Sequence, residues 1–344
     1  MKIAFFDSKN YDIESFEPYV KDRNIEVKYF EPKLSIDTVS LAAGFDGVCV
    51  FVNDTIDKPV IDKLTEFGIK AIFLRCAGFN NVDLEYSFGK LHVYHVPAYS
   101  PYAVAEHAMA LYLTSNRRIH KAYNRVREYN FSLAGLSGND LYGKTVGVIG
   151  TGKIGRIFIN ICRGFGMHVI AYDLFPIPNS DIEYVSLEEL FKRSDIISLH
   201  CPLTPDTTHI INNDSIKLMK KGVAIINTSR GGLIDSKDLL QGIKDRIIGT
   251  VCLDVYEEES DIFFEDKSGH IMNDDTLLQL IAMPNVIITS HQAFLTKEAL
   301  NNIADTTTNN ILEFFNESTA NENEVCYHCG NQANCAKKRK EKCF

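Results

Sequence analysis

Gly150, Gly152 and Gly155 are spaced G-x-G-x-x-G, and Asp173 follows 23 positions after Gly150. That is close to the interval of about 20 at which an acid reaches the ribose of a dinucleotide whose pyrophosphate rests on such a turn. The glycines alone are a weak sign, so their context decides. Val146–Ile149 is a short β-branched run, and Ile154, Ile157, Phe158, Ile161 and Phe165 recur at helical spacing. Met167–Tyr172 is again strand-like, which makes the stretch a strand, a turn, a helix and a second strand ending in an acid. Gly150 then permits the tight turn, Gly152 lets the backbone approach a pyrophosphate, and Gly155 lets the helix sit against the strand. Exposed N–H groups at the helix start face the anion. An ordinary glycine turn is the competing reading, and Asp173 weighs against it. A carboxylate there accepts from ribose hydroxyls and repels a 2′-phosphate, and Leu174 and Phe175 supply no arginine for that phosphate. The stretch reads as a dinucleotide site that favours NAD over NADP.

A nicotinamide enzyme acting on a 2-keto acid needs a cation for the carboxylate and carbonyl, an acid to protonate the oxygen, and a group that keeps the acid charged. Arg230 follows the run Val223–Thr228, Glu259 follows Ile248–Val255, and His291 follows Val286–Thr289. Strand C-termini are where open α/β sheets place their ligands. Singly, each residue has a plainer explanation: a surface ion pair, a solvated acidic run, a structural histidine. Three such strand ends beside one dinucleotide turn are harder to explain by chance. Glu257 and Glu258 compete with Glu259 by position alone.

The elements that must position these residues alternate almost throughout. Apolar runs at Ile3–Phe6, Ile25–Phe30, Gly47–Val52, Ala71–Leu74 and His92–Val96 form a first set. A second set comprises Val146–Ile149, His168–Tyr172, Ile196–His200, Val223–Thr228, Ile248–Val255 and Val286–Thr289. Strands alternating with helices imply α/β architecture, here two doubly wound parallel sheets, a Rossmann-type one and a flavodoxin-like one. Between the sets, Ser100-Pro101 opens a helix predicted over Pro101–Tyr123. Its stretch Ala103–Leu113 is apolar nearly all round, so it should be buried against a domain boundary or a second subunit. A helix over Lys297–Phe315 could return the chain to the first domain. The expected division is 1–99 with 299–325, then 100–298, leaving 326–344 as a tail. Two crossings of the chain would frame a cleft that closes over substrate.

At 344 residues the chain can bury two cores, and 45% hydrophobic with 24% charged residues is ordinary for a globular protein. A net charge of −9 argues against nucleic-acid binding. No apolar run is long enough for a membrane span and the start reads as a strand, so a cytoplasmic location is expected. Cys49, Cys76, Cys162, Cys201 and Cys252 mostly sit in apolar surroundings and read as reduced core residues.

The segments Leu74-Arg-Cys-Ala-Gly-Phe-Asn-Asn-Val-Asp83, Val96-Pro-Ala-Tyr-Ser-Pro101 with Ala105-Glu-His107, and the glycine turn occur in that order. They are followed by Ser198-Leu-His-Cys-Pro-Leu-Thr-Pro205, Asn227-Thr-Ser-Arg-Gly231, Leu253-Asp-Val-Tyr-Glu257, Phe263-Phe-Glu-Asp-Lys267 and His291-Gln-Ala-Phe294. Over roughly residues 1–325 the chain resembles the D-isomer-specific 2-hydroxyacid dehydrogenases. Within them it is most similar to the bacterial fermentative enzymes that reduce pyruvate to D-lactate. The resemblance implies that Arg230 binds the substrate carboxylate and carbonyl, and that Glu259, selected by alignment on Asp254, pairs with the proton donor His291. It further implies Ala77 and Gly78 as backbone donors to the carboxylate, with Tyr99 and Phe294 lining the pocket. Lys153, Ile154, Asp173, Cys201, Pro202, Thr207, Thr228, Ser229, Arg230 and Asp254 fall on NAD-contacting positions, beside the three glycines. A homo-oligomer, dimer or tetramer, is expected. Broader 2-keto acid, hydroxypyruvate or glyoxylate reduction is the alternative activity, and a non-catalytic NAD-sensing scaffold the alternative class. Formate dehydrogenation is disfavoured by the glutamate.

The chain departs from this pattern after Val325. Cys326-Tyr-His-Cys329, Cys335 and Cys343 are interleaved with Lys337-Lys-Arg-Lys340. Four thiolates could take zinc or an iron–sulfur cluster, but the spacing fits no common site well. A basic tail with redox-prone thiols is the other reading, and no metal ligand is assigned.

Overall fold

The computed structural model describes residues 1–259, 262–316 and 322–330. The chain divides into two compact units, Met1–Ser100 with Leu295–Phe344, and Pro101–Phe294. The second crossing thus falls four residues earlier than 298/299. Thr296 caps the helix Lys297–Phe315, its hydroxyl accepting from Ala299 N at 3.2 Å. A helix and its cap stay together, which carries residues 295–298 into the first unit.

In the first unit, β1 (Lys2–Phe5), β2 (Glu26–Tyr29), β3 (Gly47–Val50), β4 (Ala71–Leu74) and β5 (His92–Tyr94) lie in the order β2-β1-β3-β4-β5. All of these pairs are parallel, and the order is that of the flavodoxin-like doubly wound sheet. β3 and β4 are buried along their whole length, as parallel strands covered on both faces must be. Glu324–Val325 adds an edge strand antiparallel to β5, so this sheet is not purely parallel. Two residues are too few to show a strand period in sequence.

The expected tail boundary at Val325 falls inside this packing. Cys326 is buried, and the Tyr327 ring stands edge-on to Phe88 at 5.1 Å between centroids. Cys335 and Cys343, with the side chain of Cys329, lie outside the described residues.

In the second unit, the strands are β6 (Thr145–Ile149), β7 (His168–Tyr172), β8 (Glu183–Tyr184), β9 (Ile196–Leu199), β10 (Val223–Asn227), β11 (Ile248–Leu253) and β12 (Val286–Ile288). They form one parallel sheet in the order β8-β7-β6-β9-β10-β11-β12, reversing direction of travel between β6 and β9. This is the Rossmann order 3-2-1-4-5-6 with one more strand. The strand β8 was not foreseen, being two residues long.

The helix predicted over Pro101–Tyr123 is two helices, Pro101–Asn116 and Ile119–Arg127. Arg118 takes φ of +51°, a left-handed conformation that ends a right-handed helix. The Asn116 amide is engaged by the loop after the second helix, donating to Asn139 O at 2.7 Å and accepting from Asn139 N at 3.0 Å. Gly138 packs so closely that a Cβ there would lie 2.4 Å from the Asn116 carbonyl oxygen. The nearly all-apolar first helix finds its partner within its own unit. Ala105, Ala108, Met109, Leu111 and Tyr112 share a core with Val146, Val148, Phe158 and Cys162. Cys49, Cys76, Cys162, Cys201 and Cys252 are all buried. Among the described residues no helix is long and apolar enough to cross a membrane.

Candidate active site

The chain leaves β6 at Gly150 with φ of +96°. A Cβ there would sit 2.6 Å from Cys201 N and 2.7 Å from His200 O, because β6 and β9 are neighbours where the strand order reverses. On Gly155 a Cβ would lie 2.0 Å from the Gly150 carbonyl oxygen, so a side chain would push the helix Lys153–Gly164 off the turn. Gly152 caps that helix, and the space where its Cβ would stand is open. Lys153 and Ile154 form the first helical positions, the former exposed and the latter half-buried. Open space in front of a helix N-terminus fits the pyrophosphate of a dinucleotide.

Asp173, one residue past β7, closes the turn from the neighbouring strand. Its Oδ2 accepts from Thr151 N at 2.6 Å and from Thr151 Oγ1 at 2.9 Å, and its Oδ1 from Phe175 N at 2.9 Å. Burial works against the charged form, but these hydrogen bonds outweigh it and hold the carboxyl below the usual aspartate range. Thr151 was not foreseen as the partner of Asp173, because the x positions of the glycine motif carry no residue signal.

Beside this turn, the loops after β9 and β10 are tied together. Ser229 Oγ donates to Cys201 O at 2.6 Å, and Thr207 Oγ1 donates to Pro202 O at 2.7 Å. Thr228 Oγ1 is buried without a hydrogen-bond partner among the described residues. A buried hydroxyl left unpaired in this way is costly, and a polar ligand group would satisfy it.

The loop after β10 presents Arg230, whose backbone carbonyl accepts from Asn227 Nδ2 at 2.8 Å and whose Nη1 donates to Ser229 O at 2.7 Å. At Gly231 the loop meets the one after β11: a Cβ would lie 2.0 Å from Tyr256 O. Tyr256 N in turn donates to Glu259 Oε2 at 2.8 Å, and Glu259 Oε1 lies 2.7 Å from His291 Nδ1. Glu257 is engaged elsewhere, its two oxygens taken by His209 Nε2 at 2.5 Å and Ser236 N at 3.2 Å. The glutamate beside His291 is therefore Glu259, and each of the two side chains is about 20% exposed.

His291 itself takes φ of +52°, a conformation that costs a side-chain residue free energy and must be held by its surroundings. Asp254 supplies the hold. Its carbonyl accepts from His291 N at 2.7 Å. Its carboxylate accepts from Thr289 Oγ1 at 2.6 Å, Gln292 N at 2.9 Å and Ala293 N at 2.8 Å. His107 Nε2 lies 3.3 Å from Asp254 Oδ1 and 3.2 Å from Thr289 Oγ1. Burial again opposes the charge, yet the His107 contact and the other hydrogen bonds keep the Asp254 carboxyl below its ordinary range. This brace went unread: His107 and Thr289 stand 182 residues apart, and no local pattern joins them.

Phe294, the last residue of the second unit, is buried. Ala77, Gly78 and Tyr99 belong to the first unit. Ala77 O lies 2.8 Å from His95 Nδ1, Gly78 O accepts from Cys76 Sγ at 3.2 Å, and Tyr99 O accepts from Asn302 Nδ2 at 2.6 Å.

Comparison with known proteins identifies the family. The family model described as D-isomer specific 2-hydroxyacid dehydrogenase, NAD binding domain, matches residues 109–293. A 2-hydroxyacid dehydrogenase homolog of Haemophilus influenzae is 50% identical over 316 residues, covering 90% of this chain and 95% of the relative. D-lactate dehydrogenase of Escherichia coli is 49% identical over 316 residues, covering 90% and 96%. The apo structure of D-lactate dehydrogenase from Escherichia coli superimposes with a TM-score of 0.87 at 46% identity, covering 94% of this chain and all of that one. With a glycine turn and acid that fit NAD, this chain belongs to the D-isomer-specific 2-hydroxyacid dehydrogenases.

Proposed function

We propose that the protein catalyses the reversible NADH-dependent reduction of pyruvate to D-lactate. The observation that carries the reading is the 2.7 Å contact between His291 Nδ1 and Glu259 Oε1, with the Arg230 loop packed on the Glu259 loop through Gly231. NADH, when bound, supplies the hydride. Arg230 offers a planar guanidinium that binds the substrate carboxylate and draws electron density toward the keto oxygen. Glu259 is an acceptor, so Nδ1 of His291 carries a proton toward it and Nε2 is left to deliver one to the oxygen as it becomes a hydroxyl. In the oxidative direction the same atom removes that proton. Ala77 and Gly78 add backbone donors for the carboxylate, and Tyr99 and Phe294 shape the space around the methyl group.

On the cofactor side, Gly150, Gly152, Lys153 and Ile154 would hold the pyrophosphate, with Gly155 seating the helix on the turn, and Asp173 would hold the adenosine ribose. Cys201, Pro202, Thr207, Thr228, Ser229, Arg230 and Asp254 line the remainder. The first unit serves as the substrate domain and the second as the NAD domain. The E. coli relative, named a D-lactate dehydrogenase, supports pyruvate as substrate. The Haemophilus relative's broader name favours a second reading, a 2-keto acid reductase of wider range. Steady-state rates with NADH against pyruvate, hydroxypyruvate, glyoxylate and longer 2-keto acids decide between them. Pyruvate should give the highest kcat/KM; a tenfold preference for another acid overturns the first reading.

A homo-oligomer is part of this proposal. Ile119, Tyr123, Val126, Tyr129, Phe131 and Leu133 are each more than half exposed. Ile119, Tyr123 and Val126 line one surface depression, and contiguous exposed apolar surface is the usual mark of an interface. Sedimentation of the parent and of Val126→Glu tests it, with a smaller species expected for the variant. We place the reaction in the cytoplasm, where it returns fermentation electrons from NADH to pyruvate. Five cysteines buried in the core suit such a reducing compartment.

A further inference from the structure

We infer that His95 is a positioning residue for substrate binding, acting through the Ala77–Gly78 peptide. The inference rests on the reading of Gly78 as a carboxylate donor. His95 Nδ1 lies 2.8 Å from Ala77 O. A carbonyl oxygen only accepts, so Nδ1 is the donor and the imidazole carries its proton there. The Ala77 carbonyl and the Gly78 N–H belong to one planar trans peptide and point in opposite directions. Holding the carbonyl on the His95 side therefore aims the Gly78 N–H away from His95, and glycine, free of a Cβ, would otherwise let this peptide rotate.

His95 is itself held from the far end of the chain. Its N–H donates to Asn323 O at 3.0 Å, and its carbonyl accepts from Asn310 Nδ2 at 3.1 Å. Asn323 Nδ2 donates to Asn310 Oδ1 at 2.9 Å, closing the ring of contacts. The antiparallel pair Glu324–Tyr94 and Val325–Val93 continues the clamp along β5. Phe79 packs edge-to-face on the His95 ring at 5.4 Å between centroids. The helix Lys297–Phe315 and the strand Glu324–Val325 thus reach the substrate loop through one imidazole.

Two substitutions separate the hydrogen bond from the packing. His95→Phe keeps a ring against Phe79 and loses the donor. His95→Asn loses the ring and keeps an amide donor near the position of Nδ1. KM for pyruvate, kcat, and the Kd of oxamate (an isostere of pyruvate) are measured with NADH bound, with the NADH Kd as control. His95→Phe should raise KM and the oxamate Kd about tenfold or more, with kcat and NADH binding within about threefold, the pattern of lost ground-state binding. His95→Asn should stay within about threefold of the parent in all four. Equal losses in both variants, or a larger loss in His95→Asn, would show a packing role and overturn the inference. Unchanged KM and oxamate Kd in His95→Phe would overturn it as well. A parent enzyme that reduces no 2-keto acid would instead overturn the proposed function, a result visible before any variant is made.

Discussion

Glu259 Oε1 and His291 Nδ1 lie 2.7 Å apart although 32 residues separate them in the chain. β11 and β12 are adjacent and parallel, so the loops leaving their C-terminal ends emerge side by side. The left-handed turn at His291, braced by Asp254, then swings the imidazole onto the carboxylate. Neither feature would suffice alone, since strand adjacency sets the neighbourhood and the turn sets the direction.

Replacing His291 by Ala should lower pyruvate reduction by two or more orders of magnitude, the scale of a lost general acid. NADH binding, followed by fluorescence titration, should be nearly intact. Turnover within tenfold of the parent would remove His291 from its proposed role.

The two neighbouring glutamates should separate cleanly. Glu259→Gln should cost kcat about tenfold or more, because a neutral amide holds the His291 ring less firmly and no longer faces it with charge. Glu257→Gln, whose contacts are to His209 and Ser236, should stay within about threefold. A reversed order in steady-state kcat would assign the role to Glu257.

Asp173→Ser should relax the preference for NADH over NADPH, since the repulsion of a 2′-phosphate is removed. The measurement is the ratio of kcat/KM for the two cofactors. A ratio as large as the parent's would place that control on another group.

Stability should fall with rising pH because of Asp54. The residue is fully buried in the first unit, its carboxylate accepting from Leu34 N and Phe51 N. Burial pushes its carboxyl up to about 7, against the pull of the Arg75 guanidinium. A carboxyl whose folded pKa lies above its unfolded one stabilises the fold fully below the unfolded value and loses that contribution as pH rises through the folded value. Between pH 5 and 8, Tm of the parent should therefore decline more steeply than that of Asp54→Asn. Parallel slopes would refute this.

Ending the chain after Gly330 should leave pyruvate reduction within about twofold, because every residue assigned to chemistry lies before that point. Ending it after Phe315 removes Asn323, the buried Glu324 with its contact to His92 at 2.6 Å, and the buried Val325 and Cys326. That truncation should lower Tm by several degrees and raise KM for pyruvate. Equal behaviour of the two truncations in melting and kinetics would mean the last strand contributes nothing.

Much of this protein is written locally. Alternating apolar runs and helical spacings depend only on neighbours a few residues away, so eleven strand positions and the helix Lys297–Phe315 could be read directly. The glycine turn and Asp173 form one continuous βαβ unit, which is why a dinucleotide site was legible. Arg230, Glu259 and His291 were legible as strand-end residues for the same reason. What the chain did not reveal depends on partners distant in sequence. The break at Arg118 comes from Asn139 reaching back to Asn116. The brace on His291 joins helix Pro101–Asn116 to Asp254 and Thr289, and the two-residue strand at Glu324 exists only because β5 offers an edge. The bond from His95 to Ala77 belongs to this second class. Local periodicity specifies elements, whereas which glutamate meets the histidine and which carbonyl a side chain holds are settled only when strands pack side by side.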